Sequence, residues 1–406
     1  MMEFMRKVIN LQGNISVYPV NVSGAKDMKE LCGRIGTDPG ALSYLIPKSK
    51  MLHFYAEHID YRAAGFLKQE MLSRGGDVAV AKHVIDGRTD YSDILIMGTA
   101  SQFRRLIEKM KAMDIWGIKD LREALTEALR NVNARHWEMT SPAGHTITLG
   151  HDTKLMAILN LTPDSFHAPS RTDDRGILGR AEEFLSEGAY ILDVGAESTR
   201  PGAEAVSESE EAERLLPALR VLRREFPDAI ISVDTYKGEI ARLAALEGAD
   251  IINDIGGFGL DAGMLGAVAE LNMPYVLSHI KGTPQNMAGL EGSPDIVGEV
   301  NRYFSGKLAA LEEAGLKREN VIIDPGLGFG KSSGDNFAIL KDIESLRVFG
   351  RPVLVGHSRK RFTGTDRLSG TLAVSAVLAG RVSLLRVHDV RENVEALRVA
   401  EGVRNG

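Results

Sequence analysis

The chain has 406 residues, 44% of them hydrophobic and 26% charged, which is ordinary for a globular protein and long enough for two domains. Its net charge of -6 and pI near 6.0 leave no ground for non-specific binding to nucleic acid or an acidic membrane, so any anionic ligand must meet a local cluster of basic groups. One cysteine, Cys32, excludes an intramolecular disulfide, and no Cys/His spacing suits structural zinc. No run approaches the roughly 20 apolar residues of a membrane span, and Met1-Met-Glu-Phe-Met-Arg-Lys7 has no signal-peptide core, so the expected location is the cytoplasm.

Residues 1–134 read as a small α/β domain. The stretch 15–22 looks like a strand, with Pro19 placing it at a sheet edge. Residues 26–35 have helical character, which makes Cys32 a packed side chain. A strand is expected at 51–59, then a helix at 61–74 with Ala63, Phe66, Leu67 and Met71 on one face and Gly75-Gly76 as its stop. Strands follow at 78–85 and 94–97, then a helix from near Ser101 and an amphipathic helix at 119–132. His53, His58 and His83 lie in strand-like runs and form no catalytic constellation. Gly98-Thr99-Ala100-Ser101 reads as a helix N-cap rather than an anion site. The domain is taken as a structural, regulatory or partner-binding appendage.

The second unit, 135–406, opens with a hairpin around Pro142-Ala-Gly144. Strands then end near Asn160, Val194, Asp234, Asn253, His279, Asp324, Gly356 and His388. Helices fall between them at 180–187, 208–225, 237–247, 261–271, 296–314, 337–345 and 372–380. Eight alternations predict a (β/α)8 barrel, with a doubly wound open sheet as the alternative. Polar residues stand where nearly every apolar run stops: Asn160, Asp193, Asp234, Asn253, His279, Asp324 and His388. A barrel gathers such positions at one mouth, whereas an open sheet spreads them along an edge. The loop Glu197-Ser-Thr-Arg-Pro-Gly202, at the end of the second strand, is a ligand loop on the same grounds.

Several stretches are read together: Asn160-Leu-Thr-Pro-Asp-Ser-Phe166, the Glu197 loop, Ser232-Val-Asp-Thr-Tyr-Lys237, Ile252-Asn-Asp254 and His279-Ile-Lys-Gly-Thr-Pro284. Beyond them stand Asp324-Pro-Gly-Leu-Gly-Phe-Gly-Lys331, Gly356-His-Ser-Arg-Lys360 and Arg386-Val-His388. In order and spacing this series resembles the dihydropteroate synthase family across the whole second unit. The resemblance implies a pterin-binding TIM barrel that condenses 6-hydroxymethyl-7,8-dihydropterin pyrophosphate with p-aminobenzoate, releasing pyrophosphate. It implies a pterin pocket of Asp234, Asn253, Asp324 and Lys360 beside Gly356. It implies a diphosphate site of Arg386 and His388, with Mg²⁺ held by Asn160. The p-aminobenzoate side falls on Thr199, Pro201, Phe329, Ser358 and Lys360, with Arg200 ordering its loop, and Asp164 belongs to the reacting centre. A homodimer is implied as well.

The chain departs from the family in the first loop, where Ala168 takes the place of a second aspartate within His167-Ala-Pro-Ser170, and in Gly195-Ala196 for a double glycine. Gly326-Leu-Gly-Phe-Gly-Lys331 fits neither a Walker loop nor a dinucleotide fingerprint, and Arg359-Lys-Arg361 is too short for nucleic-acid binding. Two rival readings remain: a methyltetrahydrofolate–corrinoid methyltransferase, which has no need of Arg386 and His388 or of Ser358 and Lys360, and a non-catalytic pterin-binding module.

Overall fold

The computed structural model describes residues 17–22, 24–150, 152–161, 171–197, 206–287, 290 and 292–405. They form two compact units, Met1–Leu129 and Arg130–Gly406. The division falls inside helix Ile118–Asn131: Leu129 completes the first core, whereas the Asn131 amide donates to Val348 O of the second unit at 2.8 Å. Among the described residues no helix is long and apolar enough to cross a membrane.

In the first unit, strands β1 (Met51–Asp60), β2 (Asp77–Ala79) and β3 (Tyr91–Thr99) form an antiparallel sheet in the order β1-β3-β2. The inner positions of β3 bury Ile94 and Ile96 beneath helices Tyr61–Leu72 and Ala100–Met110. Thr99 and Gln102 form a reciprocal capping box at the second helix, which fulfils the N-cap reading. Two expected strands fail. Residues 17–22 form none, because Val17, Tyr18 and Val20 are exposed and have no sheet to join. The stretch 78–85 pairs only as far as Ala79; Ala81 N donates to Ser92 Oγ instead, and a 3-10 turn at Lys82–Val84 follows.

The second unit begins with the hairpin β4 (Trp137–Thr140) and β5 (Thr146–Leu149). Eight parallel strands follow: β6 (Lys154–Asn160), β7 (Ile191–Gly195), β8 (Ile230–Asp234), β9 (Ile251–Asp254), β10 (Tyr275–Ser278), β11 (Val321–Asp324), β12 (Leu354–Gly356) and β13 (Leu384–Val387). Their order is β11-β10-β9-β8-β7-β6-β13-β12, and a parallel bridge between Ile323 and Val353 joins the two ends. The sheet is therefore a closed barrel. Thr153 fastens its first strand to its last, Oγ1 donating to Val382 O and accepting from Gly380 N.

The hairpin floors the barrel. Met139, Ile147 and Leu149 pack against Met156, Ile191, Ile230, Ile251, Val276, Ile322, Leu354 and Leu384, one from each strand. Each such side chain contributes roughly 1.5–3 kcal/mol on burial. Beneath the floor, Asp250 accepts from Ser141 Oγ at 2.6 Å and from Arg223 Nη2 at 2.7 Å, lies 2.7 Å from His145 Nδ1, and accepts from Ile231 N at 2.8 Å.

Helices Glu208–Glu225 and Ile296–Ala314 fall where periodicity places them, and the other expected helices shift at their ends. One helix, Val390–Asn405, was not anticipated. It buries Val390 and Leu397, and Asn393 accepts from Ser375 Oγ at 2.5 Å. His279 and His388 lie just beyond their strands, which stop at Ser278 and Val387.

Candidate active site

At the carboxyl ends of the strands, apolar runs give way to acids within a sheet that is buried on both faces. Asp193 on β7 and Asp234 on β8 are buried, and a single guanidinium lies between them. Arg386, on β13, donates from Nε to Asp193 Oδ2 at 2.5 Å and from Nη2 to Asp234 Oδ2 at 2.6 Å. Asn253 Nδ2 donates to the same Asp193 oxygen at 3.1 Å. Asp193 Oδ1 and Asp234 Oδ1 remain buried with no hydrogen-bond partner among the described residues. Such oxygens cost stability unless a ligand supplies donors.

Asp193 is the residue that sequence reasoning placed at the mouth without giving it a role. It stands where an apolar run stops, but its partner Arg386 lies far along the chain. Burial works against the Arg386 charge, yet Asp193 and Asp234 outweigh it and hold the guanidinium above its ordinary pKa. Burial raises Asp234, with Arg386 opposing and the Asp193 carboxylate reinforcing the shift.

On the opposite wall, Asp324 ends β11 and accepts from Gly326 N at 2.7 Å. Burial raises its pKa, with Lys360 and the loop amide opposing. The Lys360 ammonium donates to Leu327 O and lies 4.4 Å from the Phe329 ring centroid. Burial pushes Lys360 down to about 8, with Asp324 opposing and Arg386 adding to the shift. Gly356 lies between these groups: a Cβ there would stand 3.8 Å from Arg386 Cβ and 3.9 Å from Asp324 Oδ2. The bare backbone keeps a flat surface beside the acids.

Ser358 and Lys360 flank Arg359, whose φ of 57° is unusual for a residue with a side chain. Arg359 N donates to Thr371 Oγ1 at 2.9 Å and its Nε to Asp389 at 3.0 Å, so this cation serves the turn and an exposed ion pair. The same turn brings Ser358 Oγ within 3.0 Å of His388 Nδ1 and 3.2 Å of His388 N. Asn160 is exposed at the end of β6 beside Gly195, where an added Cβ would lie 3.8 Å from its Oδ1. Asp164, the 167–170 stretch, Thr199, Arg200 and Pro201 lie outside the described residues.

Glu197, at the start of the second loop, is held by Lys237. The ammonium donates to Glu197 Oε2 at 2.6 Å, Glu211 Oε2 at 2.5 Å and Val206 O at 2.6 Å, while Tyr236 OH donates to Glu197 Oε1 at 3.0 Å. Among the described residues no three His, Cys, Asp or Glu side chains are grouped to hold a metal. Asn160 offers one neutral oxygen, which suits a hard cation only when ligand oxygens and water complete the shell. The arrangement as a whole can bind a flat ring rich in N–H donors against the acids, with an anionic group toward Arg386 and His388.

Residues 156–388 match the family described as pterin binding enzyme. A probable bifunctional folylpolyglutamate synthase/dihydropteroate synthase of Halobacterium salinarum is 39% identical over 362 residues; the match covers 86% of this chain, and the chain spans only 42% of that relative. The bifunctional dihydropteroate synthase/dihydropteroate reductase of Helicobacter pylori is 31% identical over 382 residues, covering 92% of this chain and 95% of that protein. A dihydropteroate synthase from Xanthomonas albilineans, solved in complex with 7,8-dihydropteroate, matches with a TM-score of 0.58 and 36% identity over 66% of this chain and 99% of that one. The chain belongs to the pterin-binding enzyme family.

Proposed function

We propose that this member of the family is a dihydropteroate synthase, a transferase of folate synthesis that joins 6-hydroxymethyl-7,8-dihydropterin pyrophosphate to p-aminobenzoate. The observation that carries the reading is the acid cluster at the mouth: Asp193 and Asp234 share one guanidinium and, among the described residues, keep buried oxygens unpaired, with Asn253 bonded to Asp193 and Asp324 in the same strand-end layer. A pterin presents a matching edge of ring N–H and amine donors. Asp324 accepts from that edge, Asn253 and Asp234 serve the remaining ring nitrogens, and Lys360 donates to the ring oxygen and nitrogen.

The diphosphate lies toward His388 and Arg386, whose Nη1 has no hydrogen-bond partner among the described residues. These groups stabilise the charge that develops as the carbon–oxygen bond to pyrophosphate breaks. Asn160 would hold a Mg²⁺ ion, which would neutralise further charge on the leaving group. The arylamine of p-aminobenzoate, already unprotonated near neutrality, forms the new carbon–nitrogen bond and then loses its proton. Phe329 lies against its ring, and Ser358 and Lys360 hold its carboxylate.

Purified protein, Mg²⁺ and both substrates should yield dihydropteroate by mass detection. Tight pterin binding without product would favour a binding module, and methyl transfer from methyltetrahydrofolate would favour the corrinoid-linked reading. We also place the enzyme in the cytoplasm as a homodimer. Leu372, Ala376, Val399 and Ala400 line an apolar groove between helices Arg367–Leu378 and Val390–Asn405, and Val377 and Val403 are exposed on the same two helices. Light scattering should report twice the chain mass, and Val399→Glu should halve it. A second activity, reduction of dihydropteroate, is favoured by the Helicobacter relative, which spans both units. Supplying NADPH or reduced flavin and looking for the tetrahydro product tests it.

A further inference from the structure

The lysine that closes the glycine-rich loop has no part in the chemistry above, yet its ammonium lies at the centre of that loop. Lys331 Nζ donates to Gly326 O at 2.8 Å, His279 O at 3.1 Å and Phe329 O at 3.2 Å. An ammonium has three N–H donors, so this set uses all of them. Three carbonyls aimed at one point repel one another unless a cation stands between them. The backbone packing around it is tight: a Cβ at Gly326 would fall 1.9 Å from His279 O, and one at Gly330 would fall 2.1 Å from Lys281 O. Both glycines have positive φ, 63° and 65°, which lets the loop press against 279–281.

What the loop carries is functional. Phe329 is the ring surface of the p-aminobenzoate side, and Leu327 O holds the Lys360 ammonium. From the other side, Gly328 N donates to Asn336 Oδ1 at 2.8 Å, which ties the loop to helix Ser333–Lys341.

We propose that Lys331 is a positioning residue: by capping the carbonyls of His279, Gly326 and Phe329 it fixes the Phe329 surface and the Lys360 head for p-aminobenzoate, without touching either substrate. The inference rests on the p-aminobenzoate reading of Phe329, which wild-type turnover tests separately. Of the groups that take the pterin, Asp234 and Asn253 are tied to Arg386 and Asp193, whereas Asp324 and Lys360 also meet this loop through Gly326 N and Leu327 O, so the pterin should respond less than p-aminobenzoate does.

Lys331→Met keeps the stem and removes the ammonium; Lys331→Ala leaves room for a small amine. In both variants the KM for p-aminobenzoate should rise at least about tenfold, while the Kd for the pterin pyrophosphate alone, by calorimetry, should change less than about threefold. Propylammonium should lower the raised KM of Lys331→Ala, and tetramethylammonium at equal ionic strength, having no N–H, should not. An unchanged KM in folded variants overturns the proposal. So does a loss of pterin affinity as large as the rise in KM, equal rescue by the two cations, or failure of both variants to fold, which would make Lys331 a stability residue only.

Discussion

The two ends of the barrel bury acids in opposite ways. At the floor, both Asp250 oxygens are fully partnered by Ser141, His145, Arg223 and the Ile231 amide. At the mouth, Asp193 and Asp234 divide one arginine and, among the described residues, each keeps an oxygen unpaired. A satisfied buried carboxylate is structure. An unsatisfied one stores a cost that a ligand with the right donors removes. The same residue type therefore does different work at the two ends, and the hydrogen-bond inventory tells them apart.

That contrast can be broken by experiment. Lys360→Ala and Asp324→Ala should each lower turnover at least about a hundredfold, the scale of lost hydrogen bonds to charged groups. The circular dichroism of both should stay native. Full activity in both would mean the pocket is elsewhere. At the floor, Asp250→Ala leaves Arg223 without its buried partner and should cost about 3–5 kcal/mol in denaturant unfolding. The kcat/KM of its folded fraction should be unchanged, and a large loss there would erase the distinction between the two ends.

Asp193→Asn weakens one half of the Arg386 clamp and should lower kcat about tenfold, or about 1.4 kcal/mol. The smallest effect concerns Asp324→Asn. Burial raises Asp324, so the native carboxyl binds its proton where the unfolded chain has already lost it. Wild-type stability must then fall as pH climbs from the ordinary carboxylate range toward the native pKa. An amide does not titrate, so the variant's advantage should be absent in strong acid and grow above that range, reaching a few degrees in Tm. A flat difference across pH would show that burial does not burden this carboxyl.

Much of the second unit is legible because its strands are short apolar runs that nearly all stop at a polar residue. The hairpin and helices Glu208–Glu225 and Ile296–Ala314 declared themselves by turn residues and by spacing. Helix Val390–Asn405 has its signal in Val390, Val394 and Leu397, spaced at helical intervals, but it follows the last motif residue, His388, and no further strand marks its end. Residues 17–22 form no strand because strand composition without a partner does not make one. Asp193 had a visible position but an invisible role, which depends on an arginine brought by barrel closure. Lys331 was hidden for a related reason: its partners are backbone carbonyls, and no side-chain motif records where those point.

The Thr153 fastening bears on how the chain is made. Its two sides are separated by 229 positions, so a ribosome releases the first barrel strand long before its neighbour exists. Throughout that interval β6 has a free edge on one side, and such edges invite mispairing. The hairpin, by contrast, is complete within a few residues of its turn and can cover the apolar floor strand by strand as the others arrive. A nascent chain halted before β13 would thus hold a covered base and an open flank, the form in which a chaperone would meet it.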